Sequence, residues 1–326
     1  MEKSTISDID PYGFKRGANF DYENYSKFFS TYLKVLAGRE TKWKKLLEKK
    51  GDLSNVDRSV LKRYIRKGVP LSYRAAVWME TSGAAAQQKS SPGLYTSLLK
   101  IEHFNKEISD SILIDLPRTF PDNIKFDTKR LNNVLLAYAH HNQDVGYCQG
   151  LNYIAGLLLI VTNDEEKSFW LLKHIVEKIL PQYHTKNMAN LLRDLAVFKE
   201  LIIRRYPDLN RHVEALGLPY PVIATKWFIC IFAEVLPVET VFRIWDCVFA
   251  EGYKIVFRAA LAMFVSHKDV ILSCQDIGAL APLFRDSMTQ DSIVTDCHSF
   301  IKTMFALRLK RSELENLRKV CNADNI

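Results

Sequence analysis

A chain of 326 residues, 48% hydrophobic and 25% charged, can bury a sizeable core in one large domain or two closely packed lobes, which excludes disorder except at its ends. Its formal net charge of +8 attracts phosphates, anionic membranes or acidic proteins and separates none of them. No RRM-like or zinc-finger signature supports a nucleic-acid partner. The cysteines at 148, 230, 247, 274, 297 and 321 form no C-x-x-C pair, so a zinc ribbon or redox motif is unsupported, and four of them lie in apolar or helical stretches that read as buried.

Met1-Glu2-Lys3-Ser4 is no secretory leader, and neither end carries a lipidation motif, the chain finishing at Asn322-Ala-Asp-Asn-Ile326. A reducing, cytoplasmic setting is expected. Residues 1–45 read as an N-terminal flanking segment, with a turn at Asp10-Pro-Tyr-Gly-Phe14 and Gly38 closing the stretch. Lys42-Trp43-Lys44-Lys45, continuing to Lys49-Lys50, reads as a solvated helix face.

From there on helical spacing dominates. After Asp127, a candidate N-cap, Leu131, Val134, Leu135 and Tyr138 recur at i, i+3, i+4 and i+7. Asn163-Asp-Glu-Glu166 places acidic residues at a helix start, ahead of Phe169, Trp170, Lys173, Val176 and Leu180. Leu191, Leu192, Leu195, Phe198, Leu201 and Ile202 make an apolar stripe ended by Tyr206-Pro207. Val241, Phe242, Trp245, Val248 and Phe249 make another, ended by Gly252. Leu151 to Val161 and Trp227 to Leu236 read as buried core helices, short of the roughly 18–20 residues that span a bilayer. No alternating strand pattern and no fixed-period repeat occurs, so the expected fold class is all-α. The breaker-rich Gly217-Leu-Pro-Tyr-Pro221 is a candidate hinge between two halves.

Two polar loops interrupt the helices. In Ile112-Leu-Ile-Asp115-Leu-Pro117-Arg118-Thr-Phe-Pro121, Pro117 disfavours helical geometry at Leu116, so Arg118 is expected on a stiffened, non-helical stretch. Asp115 stands three residues before it, close enough to hold the guanidinium. Alone, such a pair reads as a surface ion pair of little energetic weight. In His140-His-Asn-Gln-Asp144-Val-Gly146-Tyr147-Cys148-Gln149-Gly150, two glycines bracket a short loop ahead of an apolar helix beginning near Leu151. Gln149 then sits at a helix N-terminus, where free N–H groups favour anions. Gly146-Tyr-Cys148-Gln-Gly150 also fits the elbow of α/β hydrolases with Cys148 as nucleophile, but that elbow needs a strand before it and a parallel sheet around it. His140, His141 and Cys148 fit no standard zinc spacing, and the histidines read as solvent-facing or capping.

Taken together, the segments resemble the TBC domain of Rab GTPase-activating proteins. Arg74-Ala-Ala-Val-Trp78 matches the family's R-x-x-x-W, Ile112 to Arg118 its I-x-x-D-x-x-R, and Tyr147-Cys-Gln149-Gly150 its Y-x-Q-G; Arg243-Ile-Trp245-Asp246 also looks like its R-x-W-D. The motif-bearing core covers residues 66–256, with a helical continuation over 257–320. The main departure is Leu151, where many members have Met, a volume-conserving exchange.

The resemblance implies two packed helical lobes with a groove between them, and a GTPase activator rather than an enzyme in its own right. It implies a dual-finger mechanism: Arg118 stabilises charge on the transferring phosphoryl group and Gln149 positions the attacking water. Asp115 orients Arg118, Tyr147 and Gly150 shape the Gln149 loop, and Arg74 and Trp78 support the scaffold. The implied partner is a GTP-bound Rab GTPase, which carries the GTP and Mg²⁺; the chain needs no cofactor or metal of its own, and any membrane association comes through that partner, in vesicle trafficking. The alternative is a non-catalytic Rab-binding or scaffold module.

Overall fold

The computed structural model describes residues 7–17, 20–101, 105–288 and 292–321. Met1–Ser4 and Asn322–Ile326, on which the expectations about leader and lipidation rest, lie outside them. Among the described residues the chain is helical throughout, and its only β pairings are the isolated bridges Ile9–Lys15 and Phe14–Asn123. No described helix is long and apolar enough to cross a membrane.

The chain forms two compact units, residues 1–172 and 173–326. The first begins with a long helix, α1 (Tyr22–Lys50), whose N-cap Asp21 accepts the Asn24 amide. Gly38 lies inside α1 and closes nothing, since a single glycine costs a helix of this length only about 1 kcal/mol. Trp43 and Leu46 are buried while Lys42, Lys44, Lys45, Lys49 and Lys50 face solvent, as expected of a solvated basic face. The Trp43 indole N–H donates to the Gly68 carbonyl at 2.9 Å, fixing α1 to the turn that follows α2 (Arg58–Lys67).

Beyond Pro70, α3 (Leu71–Ser82) carries Arg74 and Trp78 inward. Short helices α4 (Ala84–Ser90) and α5 (Leu94–Leu98) lead to α6 (Lys106–Asp115). The expected α7 (Thr128–His141), capped by Asp127, and α8 (Leu151–Thr162) follow, and α8 is buried on nearly every side. The boundary between units falls within α9 (Glu165–His174), which widens into a π turn at Ile175–Ile179.

The second unit comprises α10 (Ala189–Arg205), α11 (Pro207–Ala215), α12 (Tyr220–Ile229), α13 (Val238–Glu251) and α14 (Lys254–Ser266), with shorter helices down to α19 (Arg311–Val320). Phe198, Tyr220, Trp227, Phe228, Phe264 and Phe284 form one aromatic core. Gly217–Pro221 lies inside this unit, its first three residues joining α11 to α12 and its last two beginning α12, so it is not the boundary expected from its breakers. The apolar run from Trp227 leaves helical geometry at Cys230, and Ile231 and Phe232 take φ of 46° and 64°. The Trp245 indole donates to the Ile231 carbonyl at 2.9 Å and holds that reversal. Arg243, Trp245 and Asp246 are all buried. Asp194, fully buried, accepts from the Tyr183 hydroxyl at 2.5 Å and from Arg318 Nε at 2.8 Å, which fastens α19 to α10.

Two histidines make this unit acid-sensitive. His184 donates from Nε2 to the Ile229 carbonyl at 3.0 Å, and burial pushes its pKa down to about 4. Burial, then Lys178 and Lys173, pushes His174 down to about 4. The unfolded chain binds these protons near the usual 6.5, so stability present at neutral pH is lost as pH falls from 6.5 toward 4. Urea midpoints measured at about pH 7 and about pH 4.5 should show this loss, and His184→Gln should reduce the difference by on the order of 1–3 kcal/mol.

Candidate functional site

The first polar loop begins as a continuation of α6. Leu116–Arg118 form a 3-10 turn with Pro117 near its start. Leu116 keeps helical angles of φ −53° and ψ −52°, against the expectation of a non-helical stretch. The turn tightens to the three-residue spacing, with the Thr119 amide donating to the Leu116 carbonyl at 3.1 Å, and this closure uses no donor from Pro117. The turn closes on its own side chain: Thr119 donates its hydroxyl to the Asp115 carbonyl at 2.8 Å.

Arg118 points outward, its side chain 66% exposed, with its guanidinium 3.6 Å from Asp115 Oδ1. Asp115 itself is buried, and its other oxygen, Oδ2, accepts the Tyr147 hydroxyl at 2.8 Å. One carboxylate therefore meets a residue from each loop. Burial, and then that carboxylate, push the Tyr147 phenol far above its ordinary range, so it remains a protonated donor.

A second link runs beside the first. Asn152, 1% exposed on the first turn of α8, donates from Nδ2 to the Thr119 hydroxyl at 2.8 Å and accepts the Gly150 amide at 3.0 Å. Sequence reasoning missed Thr119 and Asn152. The available signals were an amide at the head of an otherwise apolar helix and a hydroxyl enclosed by Pro117 and Pro121.

Glycines with positive φ stand on both sides of Tyr147-Cys148-Gln149. Gly146 has φ of 56°, and a Cβ there would stand 2.7 Å from Ile108 Cδ1. Gly150 has φ of 106° and begins α8. Between them, Gln149 is exposed. Cys148 is half-buried, and burial raises its thiol pKa, which opposes a thiolate nucleophile. The preceding element is α7, not a strand, so the hydrolase elbow lacks its required context. His140 and His141 are half-buried within α7 rather than capping it, with the His141 ring edge-on to Phe169 at 5.7 Å. Arg74 and Trp78 are buried in α3, where Arg74 donates to the Tyr12 hydroxyl at 3.0 Å.

All of these residues lie in the first unit. The arrangement offers an outside molecule an exposed cation beside a buried acid, and an exposed amide side chain at a helix N-terminus, a combination suited to anionic oxygen chemistry. Replacing Asn152 by Leu leaves the Gly150 N–H and the Thr119 hydroxyl without this partner. The expected cost is about 1–3 kcal/mol in unfolding free energy, with faster amide exchange at Gly150, read by denaturant melts and exchange mass spectrometry.

Comparison with known proteins gives the family and the fold. A family model described as Rab-GTPase-TBC domain matches residues 71–272. The human growth hormone-regulated TBC protein 1 is 46% identical, over 99% of this chain and 97% of its own length. Growth hormone-regulated TBC protein 6 of Caenorhabditis elegans is 34% identical, over 96% and 92%. The crystal structure of the Chlamydomonas flagellar RabGAP TBC domain superposes with a TM-score of 0.79 at 34% identity, covering 91% of this chain and 99% of that one. The order of motifs, the all-helical fold and these matches converge: the chain belongs to the Rab-GTPase-TBC domain family.

Proposed function

We propose that the chain accelerates GTP hydrolysis by a Rab GTPase, with Arg118 and Gln149 supplied in trans. The observation that carries this reading is the Asp115 carboxylate, which meets Arg118 on one oxygen and Tyr147, two residues before Gln149, on the other. A GTPase working alone is slow because charge on the transferring phosphoryl group is poorly stabilised and its water poorly held. An inserted arginine supplies charge stabilisation in the transition state, worth about 10³–10⁵ in rate in known GTPase systems. Arg118 takes that role, and Gln149 holds the attacking water through its side-chain amide. Asp115 aims Arg118 and does not act as a base; Tyr147 and Gly150 shape the glutamine loop.

GTP and Mg²⁺ arrive with the GTPase, and the chain contributes side chains only. The reading implies a cytoplasmic activator in vesicle trafficking, meeting membranes through its partner.

Single-turnover GTP hydrolysis across a Rab panel tests it, with aluminium fluoride to trap a transition-state-like complex. Arg118→Ala and Gln149→Ala are each expected to lower the stimulated rate at least about tenfold. Variants as active as the unmodified chain would sink the assignment. GTPase binding without acceleration by the unmodified chain would instead mark a non-catalytic module.

A further inference from the structure

The residues matched to the family begin at 71, yet a short segment far ahead of them is bound to the chain just beyond Arg118. Asp10 Oδ1 accepts the amides of Tyr12 and Phe14, each at 2.9 Å, and closes a compact turn. That turn pairs with the segment after Arg118. The Lys15 amide donates to the Asp122 carbonyl at 3.0 Å, the Ile124 amide to the Gly13 carbonyl at 3.0 Å, and Asn123 Nδ2 to the Tyr12 carbonyl at 3.1 Å. Gly13 has φ of 98°, and a Cβ there would stand 2.7 Å from Asn123 Oδ1, so a side chain at this position would be strained and would push Asn123 away. Arg74, from the first family motif, donates to the Tyr12 hydroxyl and ties the turn to α3.

The segment being gripped is under strain. Phe120, two residues after Arg118, has φ of 51°, a conformation uncommon outside glycine. Such a residue persists when its surroundings over-determine it. Here they do: the Phe120 ring meets Phe14 edge-on at 5.2 Å, Phe126 at 5.6 Å and Tyr153 at 5.6 Å. It also lies against Gly156 of α8, where a Cβ would come within 2.8 Å of Phe120 Cε2. On the other side of Arg118, Asp115 and the end of α6 are already fixed.

We infer that Tyr12, Gly13 and Phe14 are positioning residues for Arg118. They hold the reversal at Phe120, and that reversal sets the direction in which the guanidinium leaves its loop. Without them Arg118 keeps its neighbour Asp115 but loses its backbone anchor on the C-terminal side, so the Cα–Cβ direction from which the guanidinium starts turns away from the phosphoryl group. The inference rests on the reading of Arg118 as the arginine finger.

The test uses the full chain with the GTPase of the Rab panel that responds best. Phe14→Ala is expected to lower kcat for stimulated hydrolysis about tenfold while KM stays within about twofold, and Phe14→Leu to restore most of the rate. Adding Phe14→Ala to Arg118→Ala should cost less than about twofold more, because the two act as one unit. A rise in KM at unchanged kcat, an undiminished tenfold loss in the Arg118→Ala background, or no effect would each overturn the inference. Amide exchange, measured without any GTPase, reads the grip itself: Gly13→Ala should speed exchange at Ile124 more than about tenfold with the global melting temperature little changed. Unchanged exchange there overturns the inference even if the kinetics comply. If the unmodified chain accelerates no GTPase, the arginine-finger reading fails, and the exchange result still decides whether these residues hold the loop.

Discussion

The polar site depends on one buried carboxylate. Asp115 is 7% exposed, and an acid in that position is tolerable only when its oxygens are engaged. One oxygen accepts the Tyr147 hydroxyl and the other faces Arg118, so satisfying this acid brings two loops together that are separated by all of α7. The Thr119–Asn152–Gly150 bridge makes the same connection through neutral groups and fixes the backbone on both sides. Removing Asp115 would therefore disturb two loops at once and leave a half-buried phenol without its acceptor.

Much of this was legible in the sequence, and the reasons are specific. Asp127, Leu131, Val134, Leu135 and Tyr138 announce α7 because an N-cap and a 3.6-residue period are local signals. The Asp115–Arg118 spacing was equally local. The Tyr147–Asp115 and Asn152–Thr119 bonds join residues more than thirty positions apart, and no periodicity encodes such a pairing. The boundary between units was misread at Gly217 for a related reason. Glycine and proline mark where a helix stops, and in α11 and α12 they mark a turn inside one core; the division falls inside α9, whose sequence carries no breaker. Leu116 stayed helical because the rule against a helical residue before proline is a preference, and a 3-10 turn satisfies both residues.

The N-terminal turn shows the same limit from the other direction. Asp10-Pro-Tyr-Gly-Phe14 was recognisable as a turn, but its use was hidden, since Gly13 meets Asn123 only in the folded chain. The second unit is organised by comparable long-range polar contacts: Asp194 receives Tyr183 from a preceding loop and Arg318 from the last helix, and Arg205 reaches Glu313 at 2.6 Å. In both units the helices came from local pattern, while buried polar side chains selected which of them meet.

The freedom left to Arg118 has a consequence for how long a complex would last. Its side chain is two-thirds exposed and its contact with Asp115, at 3.6 Å, is too loose to immobilise it. A long cationic side chain that is ordered only on docking gives up as much as about 2 kcal/mol of rotamer entropy at that moment. For a protein that supplies this arginine to another, the loss falls on every encounter and is returned when the phosphate charge disperses after cleavage. Tight association would then be confined to the reacting state, with release afterwards, as suits one copy serving many GTPases in succession.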